Sequence, residues 1–156
     1  IGEACHYIDL MRHLVGAPIA GFSAVSIGNA PGVDITEDKA SITLTFEDGS
    51  MGTIHYFANG GKAFPKERIE AFAGDAVLQL NNFKSLKGFG WAGFRSKRLL
   101  SQDKGQKACV AAFVNSVRTG SPSPIAYDEL IEVARVSIEV AETLRGSVPA
   151  PCSHAP

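Results

Sequence analysis

Residues 40–46 alternate strictly: Ala40, Ile42, Leu44 and Phe46 fall on one side of an extended chain, and Ser41, Thr43 and Thr45 on the other. A period of two laid on a helix would scatter the apolar residues around it, so this segment is a strand with one dry and one wet face. Asp48-Gly49 follows at once, a pair suited to the positive φ angles of a tight turn, and residues 51–57 resume with side chains that fit a pleated sheet. A hairpin with a single apolar face needs a cover, and the rest of the chain must supply it.

The remaining pattern offers both cover and more sheet. Ala4, Ile8, Met11 and Val15 recur at helical spacing before Gly16 and Pro18, which predicts a helix over 3–15. Residues 21–27 read as a strand and 29–32 as a turn. Strands over 67–73 and 76–80 are joined at Gly74-Asp75, and the sheet is expected to hold at least five strands. Residues 81–100 mix Gly88, Gly90 and Gly93 with Phe89, Trp91 and Phe94, which favours a packed loop. Asp103 and Gln106 have the spacing of a capping box, opening a helix with Ala108, Ala112, Phe113, Ser116 and Val117 on its apolar side and Gly120 at its end. A last helix over 127–144 carries Leu130, Ile131, Ala134, Ile138 and Ala141 on one stripe. The fold class expected is α+β: an open-faced, mainly antiparallel sheet with helices packed on one face. Strand and helix do not alternate, and no Gly-x-Gly-x-x-Gly follows a strand, so a doubly wound nucleotide fold is excluded and no cofactor-binding residue is expected.

With 156 residues, 45% of them hydrophobic, one core and one domain are the default. A net charge of -1 gives no reason to expect nucleic acid or an anionic membrane as partner. No apolar run reaches the roughly 20 residues of a membrane span and no signal peptide opens the chain, so a cytoplasmic protein is expected. Cys5, Cys109 and Cys152 have no metal-ligand spacing and form an odd set; Cys5 and Cys109 read as core fillers, and no metal site is expected. Ile1 runs straight into the first helical pattern, as though the chain starts inside a larger protein.

Few residues carry chemistry. His6 sits early in the first helix with His13 two turns along the same face, and an imidazole titrates near neutrality. Glu3 and Asp9 each lie three residues from His6, where a carboxylate could orient the ring. A helix histidine at a domain edge and ordinary helix acids are the bland alternatives. Lys62 and Lys66 stand in a glycine-containing connection that could hold an anionic or polyhydroxylated ligand, and Lys104 and Lys107 stand at a helix start where free N–H groups favour anions. Solvated charges are the competing explanation for all four.

Positions 2–16, Gly-Glu-Ala-Cys-His-Tyr-Ile-Asp-Leu-Met-Arg-His-Leu-Val-Gly, resemble the opening helix of the C-terminal domain in the Gfo/Idh/MocA (glucose-fructose oxidoreductase and inositol dehydrogenase) family. Ile54-His55-Tyr56-Phe57-Ala58-Asn59-Gly60, Phe64-Pro65-Lys66-Glu67-Arg68 and Asp103-Lys104-Gly105-Gln106-Lys107-Ala108 resemble a subgroup in which this unit follows a zinc-type alcohol dehydrogenase module. The resemblance implies that residues 1–146 form the substrate-binding and oligomerisation domain of an oxidoreductase and that 147–156 are a flexible tail. NAD or NADP would be held by an upstream Rossmann domain of the same polypeptide, absent from this chain. It implies a sugar, cyclitol or related hydroxyl compound as substrate, a homo-oligomer, and no turnover by the fragment alone. His6 matches the family histidine that assists proton transfer, and Glu3, Lys62, Lys66 and Lys104 are the substrate-binding candidates. Where many members carry an aspartate four residues before that histidine, this chain has Gly2, and its nearest acid is Glu3. Two other functions compete: a non-catalytic assembly module that uses the sheet face around Thr43, Thr45, Thr53 and His55, and a sugar-binding protein without redox chemistry.

Overall fold

The computed structural model describes residues 2–28 and 38–146. The turn expected at 29–32, Cys152 and the tail after Gly146 lie outside the described residues. Two compact units are present, Ile1–Asn59 with Ile125–Pro156, and Gly60–Pro124.

The first unit holds α1 (Ala4–Val15), β1 (Ile19–Ser26), β2 (Lys39–Phe46) and β3 (Met51–Phe57), and the α3 helix (Tyr127–Gly146) completes it. The strands form an antiparallel sheet in the order β1-β2-β3. Asp48-Gly49 makes the expected turn: Gly49 has φ of 85°, and the Asp48 carboxylate accepts the Ser50 N–H at 2.9 Å. Cross-strand register sets Ala24, Ile42 and Ile54 in one row and Phe22, Leu44 and Gly52 in the next. This apolar face, with α1 and α3 over it, forms a core of Ala4, Ile8, Ile19, Ala40, Ile42, Leu44, Phe46, Ile54, Val133, Val136, Val140 and Leu144. Gly52 gives α1 room, because a Cβ there would lie 2.7 Å from the Met11 Sδ.

The α3 stripe facing the core is Val133, Val136, Val140 and Leu144, not the expected Leu130, Ile131, Ala134, Ile138 and Ala141; Leu130, Ile131 and Ile138 are exposed. The helix carries two apolar stripes, and periodicity alone cannot choose between them. Glu132 decides the matter by meeting Arg12 of α1 and so turns the valines inward.

The second unit contains β4 (Arg68–Ala73), β5 (Ala76–Asn81), β6 (Ser85–Phe89), β7 (Ser96–Arg98) and α2 (Gln106–Thr119). Its strands form a second antiparallel sheet in sequence order, so the expected single sheet of five or more strands is replaced by hydrogen-bonded sheets of three and four. Gly74 and Asp75 both have positive φ, 53° and 60°, and close the β4–β5 hairpin as the sequence predicts. The packed loop expected over 81–100 is instead β6 and β7. Its glycines conceal the strands: Gly88 lies in β6 because Phe94 occupies the space a Cβ would need, and Gly90 turns the chain where only glycine passes the Asp75 carbonyl.

The capping box at Asp103 does not form. Gly105 caps α2 with φ of 79°, and Asp103 accepts the Gly105 N–H instead. Gly120 ends α2 in the left-handed conformation as expected. Of the apolar side assigned to α2 only Ser116 is buried, while Val110, Phe113, Val114 and Val117 are exposed. Cys109 is exposed and Cys5 half-buried, so neither fills the core as the sequence suggested. In this unit the described residues bury no apolar side chain; only Glu67 and Ser116 fall below one tenth exposure.

Candidate functional site

The start of α1 sets His6. Ala4 and Ile8 are buried against the sheet, and His6 lies midway between them in sequence, about half a turn round, so its imidazole faces solvent. Glu3 occupies the N-cap position without capping through its side chain, and its carbonyl accepts the His6 N–H at 3.2 Å. Among the described residues neither Glu3 nor Asp9 hydrogen-bonds the His6 ring. His13 is also exposed on α1.

One turn beyond Ile8, the buried stripe of α1 ends in a charge. Arg12 is 7% exposed; its Nε donates to Glu132 Oε2 at 2.8 Å, and its Nη2 lies 3.7 Å from Glu129 Oε1. Glu132 also accepts the Ile19 N–H at the head of β1 through Oε1. The hydrogen bond that Arg12 donates to Glu132 raises the Arg12 pKa above its ordinary value despite burial. Burial pushes the Glu132 carboxyl up, but the Arg12 and Ile19 donors outweigh it and hold the group below the usual range. This cluster went unread in the sequence; its only signal was a charge placed four residues past Ile8 on an apolar stripe. It fastens α1, β1 and α3 and offers no open face to a ligand.

In the second unit the sheet turns a polar face out at Arg68, Glu70, Gln79 and Asn81. Arg68 and Gln79 both donate to Glu70 Oε1, and the Arg68 hydrogen bond leads in lowering the Glu70 pKa.

Beside that sheet lies a cleft of about 500 Å3 lined by Lys62, Ala63, Phe64, Pro65, Lys66, Glu67, Asn82, Gln102 and Lys104. The structure therefore brings together three of the four lysines singled out from sequence; Lys107 does not line the cleft. Glu67, 8% exposed, pairs with the Lys104 ammonium, which also sits 5.8 Å from the Phe83 ring centroid. Gln102 Nε2 donates to the Asn82 carbonyl and side-chain oxygen, each at 3.1 Å, and the Asn82 N–H returns to the Glu67 carbonyl at 2.7 Å. Among the described residues Lys62 and Lys66 have no ion-pair partner. Glu67, Asn82 and Gln102 were not singled out from sequence, since only the fold makes them neighbours of these lysines.

On the outer face of the first sheet, Ser41 Oγ lies 2.9 Å from His55 Nδ1, Thr43 and Thr53 share a 3.1 Å hydroxyl contact, and the His55 ring stacks on Phe57 at 5.6 Å. Val25 and Met51 stand on the same face, 69% and 67% exposed. Among the described residues no group of three or more histidines, cysteines and acids could hold a metal ion, and no helix is long and apolar enough to cross a membrane.

Residues 3–76 match the model of the GFO/IDH/MocA C-terminal domain. No curated protein matches the sequence. Among solved structures, the UDP-N-acetylglucosamine 3-dehydrogenase of Acidithiobacillus ferrooxidans superposes with a TM-score of 0.71 at 19% identity, over 93% of this chain and 46% of that one. The aldose-aldose oxidoreductase of Caulobacter crescentus gives 0.67 at 14% identity, over 91% and 44%. The biliverdin reductase of Synechocystis sp. PCC 6803 gives 0.64 at 16%, over 91% and 45%. The fold is shared with all three, and this chain spans less than half the length of each.

Proposed function

We propose, from the match of residues 3–76 to the GFO/IDH/MocA C-terminal domain model, that this chain is the substrate-binding and oligomerisation domain of an NAD(P)-dependent oxidoreductase acting on a sugar, cyclitol or related hydroxyl compound. The nucleotide is held outside residues 1–156, on a Rossmann domain of the same polypeptide. Every described strand pair is antiparallel, and no described strand leads into a glycine-rich helix start, so the described residues do not fit a dinucleotide. A preceding zinc-type alcohol dehydrogenase module, and inactivity of the fragment alone, belong to the same proposal. So does a cytoplasmic location, with which the free thiols of Cys5 and Cys109 accord.

The observation that carries the reading is His6, exposed and without a partner among the described residues, at the first turn of a helix whose opposite side is locked into the core. A fixed helix and a free imidazole suit a group that takes up the proton a substrate hydroxyl loses as its carbon is oxidised. Glu3, Lys62, Lys66 and Lys104 are the proposed substrate-binding residues. Replacing His6 with Ala in the full-length protein is expected to lower turnover about 100-fold or more while leaving NAD(P) affinity intact. Undiminished turnover would remove His6 from the mechanism.

A non-catalytic assembly module is favoured by one observation, the exposed Val25, Met51 and Phe57 around His55 on the outer sheet face. The two readings part on Met51→Glu in the full-length protein. Under the enzyme reading a dissociated variant still reduces NAD(P), whereas under the assembly reading the parent protein has no such activity to begin with.

A further inference from the structure

We propose that the cleft within Gly60–Pro124 is a receptor for a phosphoryl group, so that the substrate handled here is a phosphorylated or nucleotide-activated sugar rather than a free one. The inference rests on the substrate-binding reading above and refines it.

Charge is the first argument. Three lysines, Lys62, Lys66 and Lys104, are among the cleft-lining residues against one carboxylate residue, Glu67. That carboxylate is already committed, since it is 8% exposed and engaged by Lys104. Lys104 has three N–H donors, spends one on Glu67, and keeps a side chain that is 41% exposed, so it still presents donors to the cleft. Lys62 and Lys66 are uncompensated among the described residues. An anion would be attracted by the charge of these lysines, whereas a neutral polyol gains nothing from it. A phosphoryl group supplies two charges and several acceptor oxygens, which match lysines acting as point charges.

Position is the second. Lys104 is followed directly by Gly105, which caps the 14-residue helix α2, so the positive end of that helix begins beside a cleft-lining residue. Phe64 and Pro65 form an apolar part of the wall, and a volume of about 500 Å3 is of the size that accepts a small ligand. Glu67 acts as a positioning residue: held by Lys104 and beside the Gln102–Asn82 bonds, it keeps the Lys104 ammonium in place.

The test is isothermal calorimetry on the 156-residue chain with inorganic pyrophosphate, inorganic phosphate, gluconate and glucose at one ionic strength. Saturable binding of pyrophosphate, with gluconate and glucose giving none, is expected. Stronger binding of pyrophosphate than of phosphate assigns the site to a diphosphate, and equal binding to a phosphomonoester; either supports phosphoryl recognition. Lys62→Ala and Lys66→Ala should each weaken pyrophosphate about tenfold or more. Lys97→Ala removes the same charge outside the cleft and should change affinity less than about twofold. Glu67→Gln, which keeps an oxygen for Lys104 and removes a negative charge, should bind at least as tightly as the parent. No saturable pyrophosphate binding, or an equal loss in Lys97→Ala, overturns the proposal. His6→Ala should leave pyrophosphate affinity unchanged, so failure of the proton-transfer reading and failure of the phosphoryl site are separate results.

Discussion

Replacing Arg12 with Met tests how the first unit is held together. The substitution keeps most of the side chain's volume but leaves Glu132, 15% exposed at its side chain, with the Ile19 N–H as its remaining donor. Removing one partner of a buried ion pair costs about 3–5 kcal/mol. The surviving Ile19 bond and the partial exposure of Glu132 place this case at the lower end, about 3 kcal/mol. For a chain of this length that corresponds to a fall in Tm of roughly 6–12 °C. Glu132→Gln should cost a similar amount, because it leaves a buried guanidinium with Glu129, at 3.7 Å, as its nearest ion-pair partner and Glu47 acting from further off. In the double variant Arg12→Met/Glu132→Gln, no charge is left unpaired and Gln can still accept the Ile19 N–H. Its cost should therefore fall at least about 2 kcal/mol short of the sum of the singles, the sign of direct coupling. Urea unfolding followed by far-UV circular dichroism measures these terms. Trp91, the single tryptophan, lies in Gly60–Pro124 and reports that unit separately by fluorescence. Additive single effects, or an Arg12→Met chain within about 0.5 kcal/mol of the parent, would refute the assignment of this cluster as the fastening of α1 to α3.

The same carboxyl gives a pH dependence. Since Glu132 is held below its ordinary value of 4.5, its contribution is present in full above that value and is lost as the pH falls through the lower, folded one. Acid unfolding of the parent chain should be steeper than that of Glu132→Gln, measured by circular dichroism from neutrality downward. The raised Arg12 pKa adds nothing in this window, because the guanidinium is charged throughout. At Gly90, with φ of 73° and a would-be Cβ 2.6 Å from the Asp75 carbonyl oxygen and 3.2 Å from the Ala76 Cα, backbone blocks the way. Gly90→Ala should destabilise the second sheet by about 1–3 kcal/mol, seen as an earlier Trp91 fluorescence transition, whereas Gly93→Ala, with open space at its Cβ, should cost about 1 kcal/mol.

What could be read in advance follows from how local its cause is. The hairpin around Asp48-Gly49, the positive-φ turn at Gly74-Asp75 and the stop at Gly120 are written in adjacent residues, and all three stand in the structure. The strands at 85–89 and 96–98 were hidden because Gly88 looks like a breaker until Phe94 is seen to fill its place. On α3 the local pattern offered two stripes, and the choice between them came from Arg12, far away in sequence. The site divides in the same way. Lys62 and Lys66 stand out as a charged connection, but their convergence with Lys104 depends on Glu67 meeting a residue beyond four strands. His6 was singled out through resemblance, and among the described residues no acid hydrogen-bonds its ring.

The first unit is assembled from two stretches of chain separated by all of Gly60–Pro124. Its core needs Val133, Val136, Val140 and Leu144, which are the last of its core residues to be synthesised. At roughly 5–20 residues per second, a growing chain holds Ile42, Leu44 and Ile54 without their α3 cover for several seconds. Closing so long an intervening loop, if it has not yet folded, costs on the order of 4 kcal/mol in chain entropy. Folding of the second unit before α3 arrives would shorten that search, so the order in which the units form bears on yield during synthesis as well as on the final stability of either.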